Sequence, residues 1–312
     1  MAPPNANRRP TTKTSQAAGR WPQRRRLLWA AAPVVVAAIV GAALLLPRGG
    51  GSSPSSESRT TTGLPDTPDY HSLLVDPTDS EAITLGTHAG LFKSANGGRS
   101  WRPAELTGQD AMNLVRSEGA VLWAAGHSLL ARSEDAGTTW QNVRPEGLPS
   151  LDLHGFTVSS GSGEIYAAVA GEGLYRSSDA GKSFTVASRQ VGASVFGLAV
   201  MPGGEVLAAD PGQGLLASSD TGQTWRRLVG GQIVGVAINP KNPRSVLATG
   251  QGIYRSVNAG RTWTRVLDIA EGAGPVAWSP SAANVAYVVG FDGTLHRTND
   301  GGRSWRRADR GR

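Results

Sequence analysis

Two hydrophobic patterns divide this chain. The first is a single unbroken run, LLWAAAPVVVAAIVGAALLL, from Leu27 to Leu46, twenty residues without a charge. At a helical rise of about 1.5 Å per residue such a run spans roughly 30 Å, the thickness of a membrane hydrocarbon core. Pro33 is tolerable in that setting. Arg8, Arg9, Lys13, Arg20, Arg24, Arg25 and Arg26 precede the run, with no Asp or Glu among residues 1–26. That asymmetry predicts an N-terminus retained in the cytoplasm and everything after Leu46 on the outside. A cleaved signal peptide is the rival reading, but its apolar core is shorter and ends at a small-x-small site. Here the run ends in Leu-Leu-Leu-Pro. The pattern therefore predicts a basic cytoplasmic tail over 1–26 and one uncleaved transmembrane helix over 27–46. The protein would be a single-pass protein of the cell membrane. Residues 47–64, PRGGGSSPSSESRTTTGL, lack an apolar pattern and are rich in Gly, Ser, Thr and Pro, as in a flexible linker.

The second pattern starts near residue 65. Short β-like runs of four to six residues follow one another, separated by turn residues such as DPTDSE, SEG, PGG and NPKNP. The first group is SLLV, AITLGT, GLFKS and SWRPAE; a later one is VGVAI, SVLATG, GIYRS and TWTRV. No helical period appears after Leu46. Six such groups of four predict an all-β fold, a six-bladed β-propeller of four-stranded antiparallel blades over 65–308, with a short tail over 309–312.

Each group contains one eight-residue phrase: SANGGRSW, SEDAGTTW, SSDAGKSF, SSDTGQTW, SVNAGRTW and TNDGGRSW. The closing aromatics are Trp101, Trp140, Phe184, Trp225, Trp263 and Trp305, spaced 39, 44, 41, 38 and 42 residues apart. The phrase lies between the third and fourth strands of its group. Its acidic or amide position is Asn96, Asp135, Asp179, Asp220, Asn258 or Asp300. A hydroxyl and an Asp or Asn side chain bond nearby turn amides, Gly permits positive φ, and the aromatic packs between sheets. A motif repeated around a ring cannot converge on one point, so these twelve residues read as structural rather than catalytic.

The phrase resembles the Asp-box, or BNR, repeat of the sialidase-like propeller superfamily. The chain is similar to bacterial, membrane-anchored BNR propellers, including sortilin-like and photosystem-assembly-factor-like ones. The stretch YHSLLVDPTDSEAITLGTHAGLFKS looks like the opening blade of that group. The resemblance implies a fold element on the outer blade, remote from any active site. Sialidases add an arginine triad, a Tyr–Glu nucleophile pair and an Asp acid/base. Their Phe/Tyr-Arg-Ile-Pro string is absent here, and Arg132, Arg176, Arg255 and Arg297 repeat with the blades. Tyr166 and Glu164 form a close acid–tyrosine pair, but two residues on one strand do not make a catalytic pair.

Charge and cysteine content narrow the classes. The net charge of +7 comes from the tail: with its seven basic residues set aside, 24 basic and 24 acidic residues remain. No basic footprint for nucleic acid is left. The absence of cysteine excludes disulfides, thiolate metal sites and Cys nucleophiles.

Functional residues in a propeller should break the repeat. Measured from the phrase's first residue, His71, Asp110 and His154 each lie 23 residues upstream, at one equivalent position just before the innermost strand of blades 1, 2 and 3. His88 and His127 each lie six residues upstream, in the turn between strands two and three of blades 1 and 2. Both positions belong to the face opposite the repeated phrase. His296 instead takes a third-strand core position equivalent to Phe92, Tyr175 and Tyr254. The five residues predict a ligand-binding face at the channel mouth, with His71, Asp110 and His154 inside and His88 and His127 further out. No organic cofactor is expected. Imidazole and carboxylate there suit a divalent metal or a polar ligand, although no HExxH-type signature is present. The expected role is a non-catalytic binding module at the cell envelope, taking a protein, glycan or small ligand. The alternative is a sialidase-like glycoside hydrolase using the same face, which would need two opposed carboxylates.

Overall fold

The computed structural model describes residues 61–308. The predicted cytoplasmic tail, transmembrane helix and most of the linker lie outside the described residues, as do 309–312. Among the described residues no helix is long and apolar enough to cross a membrane.

The described residues form six antiparallel sheets, each built from four strands consecutive in sequence. Blade 1 runs Tyr70–Val75, Ile83–Thr87, Gly90–Ser94 and Ser100–Pro103. The first strands of blades 2 to 6 are Asn113–Arg116, Leu153–Val158, Gly197–Val200, Ile233–Ile238 and Ala273–Trp278. Each first strand packs against the next, and the sixth packs against the first, so they ring a central channel. This is the predicted six-bladed propeller. One addition comes from Thr61–Thr62, placed by sequence in the linker. These residues pair with the outer strand of blade 1, Thr61 opposite Trp101, as a fifth strand.

Second strands are buried along their whole length in blades 2 to 6, as in Ile165–Val169 (IYAAV) and Ala286–Gly290 (AYVVG), and in blade 1 at every residue but Thr84. They are covered on both faces by neighbouring blades, which explains continuous apolar runs where a one-sided sheet would alternate. The core is therefore shared between blades. Leu73, Leu85 and Trp101 of blade 1 pack with Tyr287, Val289 and Leu295 of blade 6 and close the ring. Tyr287 Oη donates to the Ser80 carbonyl at 2.9 Å, and Arg297 pairs with Glu81 across the same seam. Burial pushes the Tyr287 phenol up to about 12.

The repeated phrase makes one turn six times. In blade 2, Ser133 Oγ accepts from the Gly137 amide at 2.8 Å, and Asp135 Oδ1 accepts from the Thr139 amide at 2.8 Å. Thr139 Oγ1 donates to Asp135 Oδ2 at 2.6 Å. Where Asn replaces Asp, the amide reverses that last bond: Asn96 Nδ2 donates to Ser100 Oγ at 2.9 Å and Asn258 Nδ2 to Thr262 Oγ1 at 2.8 Å. The hydroxyl of Thr139 or Thr224, then the backbone amides, hold Asp135 and Asp220 down at about 2, and Asp179 and Asp300 are lowered in the same way. Two successive residues of the turn have positive φ, not the glycine alone. Ala136 at 57° precedes Gly137 at 84°, and Ala180, Thr221 and Ala259 repeat the pattern. The closing aromatics are unequal. Trp101 and Phe184 are buried, whereas Trp140, Trp225, Trp263 and Trp305 are half-buried.

Candidate functional site

The histidine face is built by three local devices. The first is a β-bulge. Strand register shifts between Tyr70 and Ser72 and between Leu153 and Gly155, which leaves His71 and His154 outside the ladder. A bulged residue re-aims its side chain. Both histidines are thus the second residue of the innermost strand rather than a residue just before it, whereas Asp110 does precede its strand, by three residues. The second device is the two-residue hairpin. Thr87 pairs with Gly90 and Gly126 with Leu129, so His88 and His127 occupy the first turn position. The third is close backbone approach. A Cβ on Gly126 would sit 2.0 Å from the Asp110 carbonyl, and one on Gly86 would sit 2.4 Å from the Ala111 carbonyl. Those two glycines let the Asp110–Met112 segment press against the second strands of blades 1 and 2. Ser72 Oγ donates to the Ala111 carbonyl at 3.1 Å and fixes the segment. Asn113 does the same for blade 3: Nδ2 donates to the His154 carbonyl at 3.1 Å and Oδ1 accepts from the Phe156 amide at 3.1 Å.

All five predicted residues lie on this one face. Asp110 is the hub, with its side chain only 10% exposed. Its Oδ2 meets His88 Nδ1 at 2.7 Å and His127 Nδ1 at 2.5 Å, and its Oδ1 faces His71 Nε2 at 3.5 Å. Asp110 Oδ1 and His71 Nε2 are buried without a hydrogen-bond partner. His127 Nε2 stands 3.1 Å from His154 Nε2. His71 and His154 are therefore linked through Asp110 and His127 rather than by direct contact. Burial lowers His71 to about 4, with the Asp110 carboxylate opposing, and lowers His154, with Asp152 opposing. Burial takes the larger part in both, so the inner imidazoles favour their neutral, lone-pair form. His296 stands apart, in the third strand of blade 6 opposite Val288.

Four residues of the face, Asp69, Asp152, Phe196 and Phe291, were not among the predicted site residues. Asp69 Oδ2 meets His88 Nε2 at 3.2 Å. Asp152 Oδ1 lies 3.3 Å from both His127 Nε2 and His154 Nε2. Each acid stands two residues before a bulged histidine, so the repeated Asp-x-His of blades 1 and 3 was the available signal. Phe196 stacks on His154, ring centroids 5.1 Å apart, and is 41% exposed. Across the mouth Phe291, in the second turn of blade 6, is 53% exposed. Between them the channel opening is lined by His71, Asn113, Gly197, Gly235, Gly274 and Phe291.

Three groups of His and Asp bring their potential ligand atoms within 4.8 Å of one another: Asp69–His71–His88, His88–Asp110–His127 and His127–Asp152–His154. The opposed free carboxylates of a glycosidase are not what this row presents, because Asp69, Asp110 and Asp152 each face an imidazole. Tyr166 with Glu164 does make a hydrogen bond, at 3.2 Å. Tyr166 is fully buried, however, and Glu164 immediately precedes the second strand, near the repeated turns and away from the histidines.

No curated protein sequence matches the chain. Among solved structures, YCF48 bound to D1 peptide superposes with a TM-score of 0.51 at 18% identity, over 80% of this chain and 84% of that one. YCF48 from Cyanidioschyzon merolae gives 0.50 at 17% identity, over 80% and 87%. The GH74 xyloglucanase from Xanthomonas campestris gives 0.55 at 15% identity, over 80% of this chain but 47% of the enzyme. At these identities the likeness is one of fold. Residues 69–312 match a family model described as photosynthesis system II assembly factor YCF48, a BNR-type propeller family, and the chain belongs to that family.

Proposed function

We propose that this protein is a membrane-tethered, extracytoplasmic binding module whose histidine face takes a polypeptide segment of an envelope protein. The observation that carries the reading is the company of that face. Phe196 and Phe291 are exposed on the rim of a mouth whose lining mixes His71, Asn113 and three glycines with apolar side chains such as Met112, Val234 and Val276. Exposed aromatics beside a concave opening are the anchors partner proteins use. The innermost strands also each end their sheet, so their free edges offer backbone donors and acceptors to an extended chain. Membership of a family described as an assembly factor supports a protein partner, as does the peptide-bound state of the YCF48 structure. The tether rests on the uncharged run Leu27–Leu46 and the basic residues before it.

The test is photo-crosslinking in living cells from position 196, with Lys182, on the repeated-turn face of blade 3, as control. A discrete crosslinked polypeptide from position 196 alone is expected. Equal crosslinking from both positions, or polysaccharide hydrolysis abolished by Asp110→Asn, would overturn the reading.

A further inference from the structure

The face carries a second capacity that needs no polypeptide. We propose that His127 Nε2, His154 Nε2 and Asp152 Oδ1 form a tripod for one divalent transition-metal ion of the zinc class, with water in the fourth position.

The geometry argues for this trio. The three donor atoms stand 3.1, 3.3 and 3.3 Å from one another. Ligands on a tetrahedral ion at bond lengths of about 2.0–2.1 Å stand roughly 3.3 Å apart. An ion about 2.05 Å from all three would subtend angles of roughly 98–107°, close to tetrahedral. The neighbouring group does not share that spacing. Asp110 Oδ2 lies 2.7 Å from His88 Nδ1 and 2.5 Å from His127 Nδ1. Those are hydrogen-bond separations, too short for separate ligands of one ion.

Asp110 has a different part. Its carboxylate accepts from His127 Nδ1–H, which fixes the tautomer that leaves the Nε2 lone pair free. A carboxylate behind a metal-bound imidazole is a common device for orienting the ring and raising its basicity. The polar accounting agrees. Asp152 Oδ1 is a buried atom without a hydrogen-bond partner. Asp110, nine-tenths buried, keeps its own Oδ1 unpartnered beneath the site. Buried acceptors left open are costly unless something fills them. Two imidazoles and a carboxylate favour the zinc class over calcium or magnesium, which prefer all-oxygen shells. Asp152 and His127 are about half exposed, 46% and 47%, so the ion and its water are reachable from solvent.

The test uses the purified full chain without a histidine tag, stripped with chelator and titrated with zinc chloride by calorimetry. Cobalt absorption reports the geometry. One ion per chain with a tetrahedral cobalt spectrum is expected. His127→Gln, His154→Gln and Asp152→Asn should each weaken binding by about 100-fold or more. Asp110→Asn should weaken it by about 10–100-fold with the stoichiometry kept. His88→Gln should weaken it less than any of the three ligand variants, since that ring reaches the site only through Asp110 Oδ2 and by stacking on His127, centroids 6.1 Å apart. A melting curve accompanies each variant. If a histidine variant does not fold, loss of zinc-induced stabilisation in Asp152→Asn decides. No binding by the folded wild type, or binding that survives Asp152→Asn and is abolished by His88→Gln, would overturn the assignment. Because no partner is present, failure here leaves polypeptide binding standing, and the reverse also holds.

Discussion

Truncating the closing aromatic of the repeated phrase should cost very different amounts in different blades, although the motif is the same. Trp101 is 1% exposed and packs with Leu85 of its own blade and Tyr287 and Leu295 of blade 6. Its Nε1 donates to the Gly98 carbonyl at 3.0 Å. Trp140 is half-buried, and its Nε1 has no hydrogen-bond partner. Removing a fully buried indole costs about 3–5 kcal/mol through lost transfer energy and the cavity left behind. The Gly98 carbonyl would also lose its donor, worth about 1 kcal/mol. Trp101→Ala should therefore destabilise the propeller by about 4–6 kcal/mol. Trp140→Ala, with about half the buried area and no bond to lose, should cost about 1.5–2.5 kcal/mol. Urea unfolding followed by far-ultraviolet circular dichroism measures both, with equal slopes as the check that one transition is compared. At about 2–4 °C per kcal/mol for a domain of this size, the two melting points should separate by roughly 5–15 °C. Equal costs would refute the reasoning, because they would make the phrase, not its burial, the source of stability.

Three further outcomes follow from charge. Asp135, Asp179, Asp220 and Asp300 have folded pKa values held below the ordinary carboxylate value by turn hydroxyls and amides. Their stabilisation should be present above about pH 4 and fade as pH falls towards 2, and Asp→Asn at these positions should flatten acid unfolding curves. His71 has a folded value of about 4 against 6.5 for a free side chain. Between those limits the unfolded chain binds the extra proton, so stability should be full above about pH 6.5 and decline as pH falls. Histidine NMR of the metal-free chain should show the His71 ring titrating well below a free imidazole. For topology, protease added to intact spheroplasts should remove the propeller and spare residues 1–26; a protected propeller, or a mature N-terminus near Pro47, would contradict the anchor.

What the sequence disclosed follows from the constancy of the repeat. Counting back from the phrase brought His71, Asp110 and His154 to one face although the elements differ: the innermost strands have six, four and six residues, and Asp110 stands before its strand where the histidines sit within theirs. His71 and His154 sit on bulges, and a bulge has no signature of its own in residue type. Asp69 and Asp152 were visible only as an Asp-x-His pair, easily taken for rim polarity. Phe291 escaped because it follows the second strand of the last blade, where no histidine marks the position. Ala136, Ala180 and Ala259 adopt positive φ because the hydroxyl–carboxylate network dictates it, and alanine announces nothing. The inequality of the tryptophans depends on neighbours such as Leu295, far from Trp101 in sequence.

Binding at the histidine face is tested most directly with the polypeptide captured at position 196, synthesised as a labelled segment and titrated by fluorescence anisotropy. Phe196→Ser with Phe291→Ser removes two exposed rings, 41% and 53% accessible, so the fold should tolerate the change. The account predicts affinity lowered by at least about tenfold, some 1.4 kcal/mol, with an unchanged melting point. Unchanged affinity in a folded double variant would contradict it.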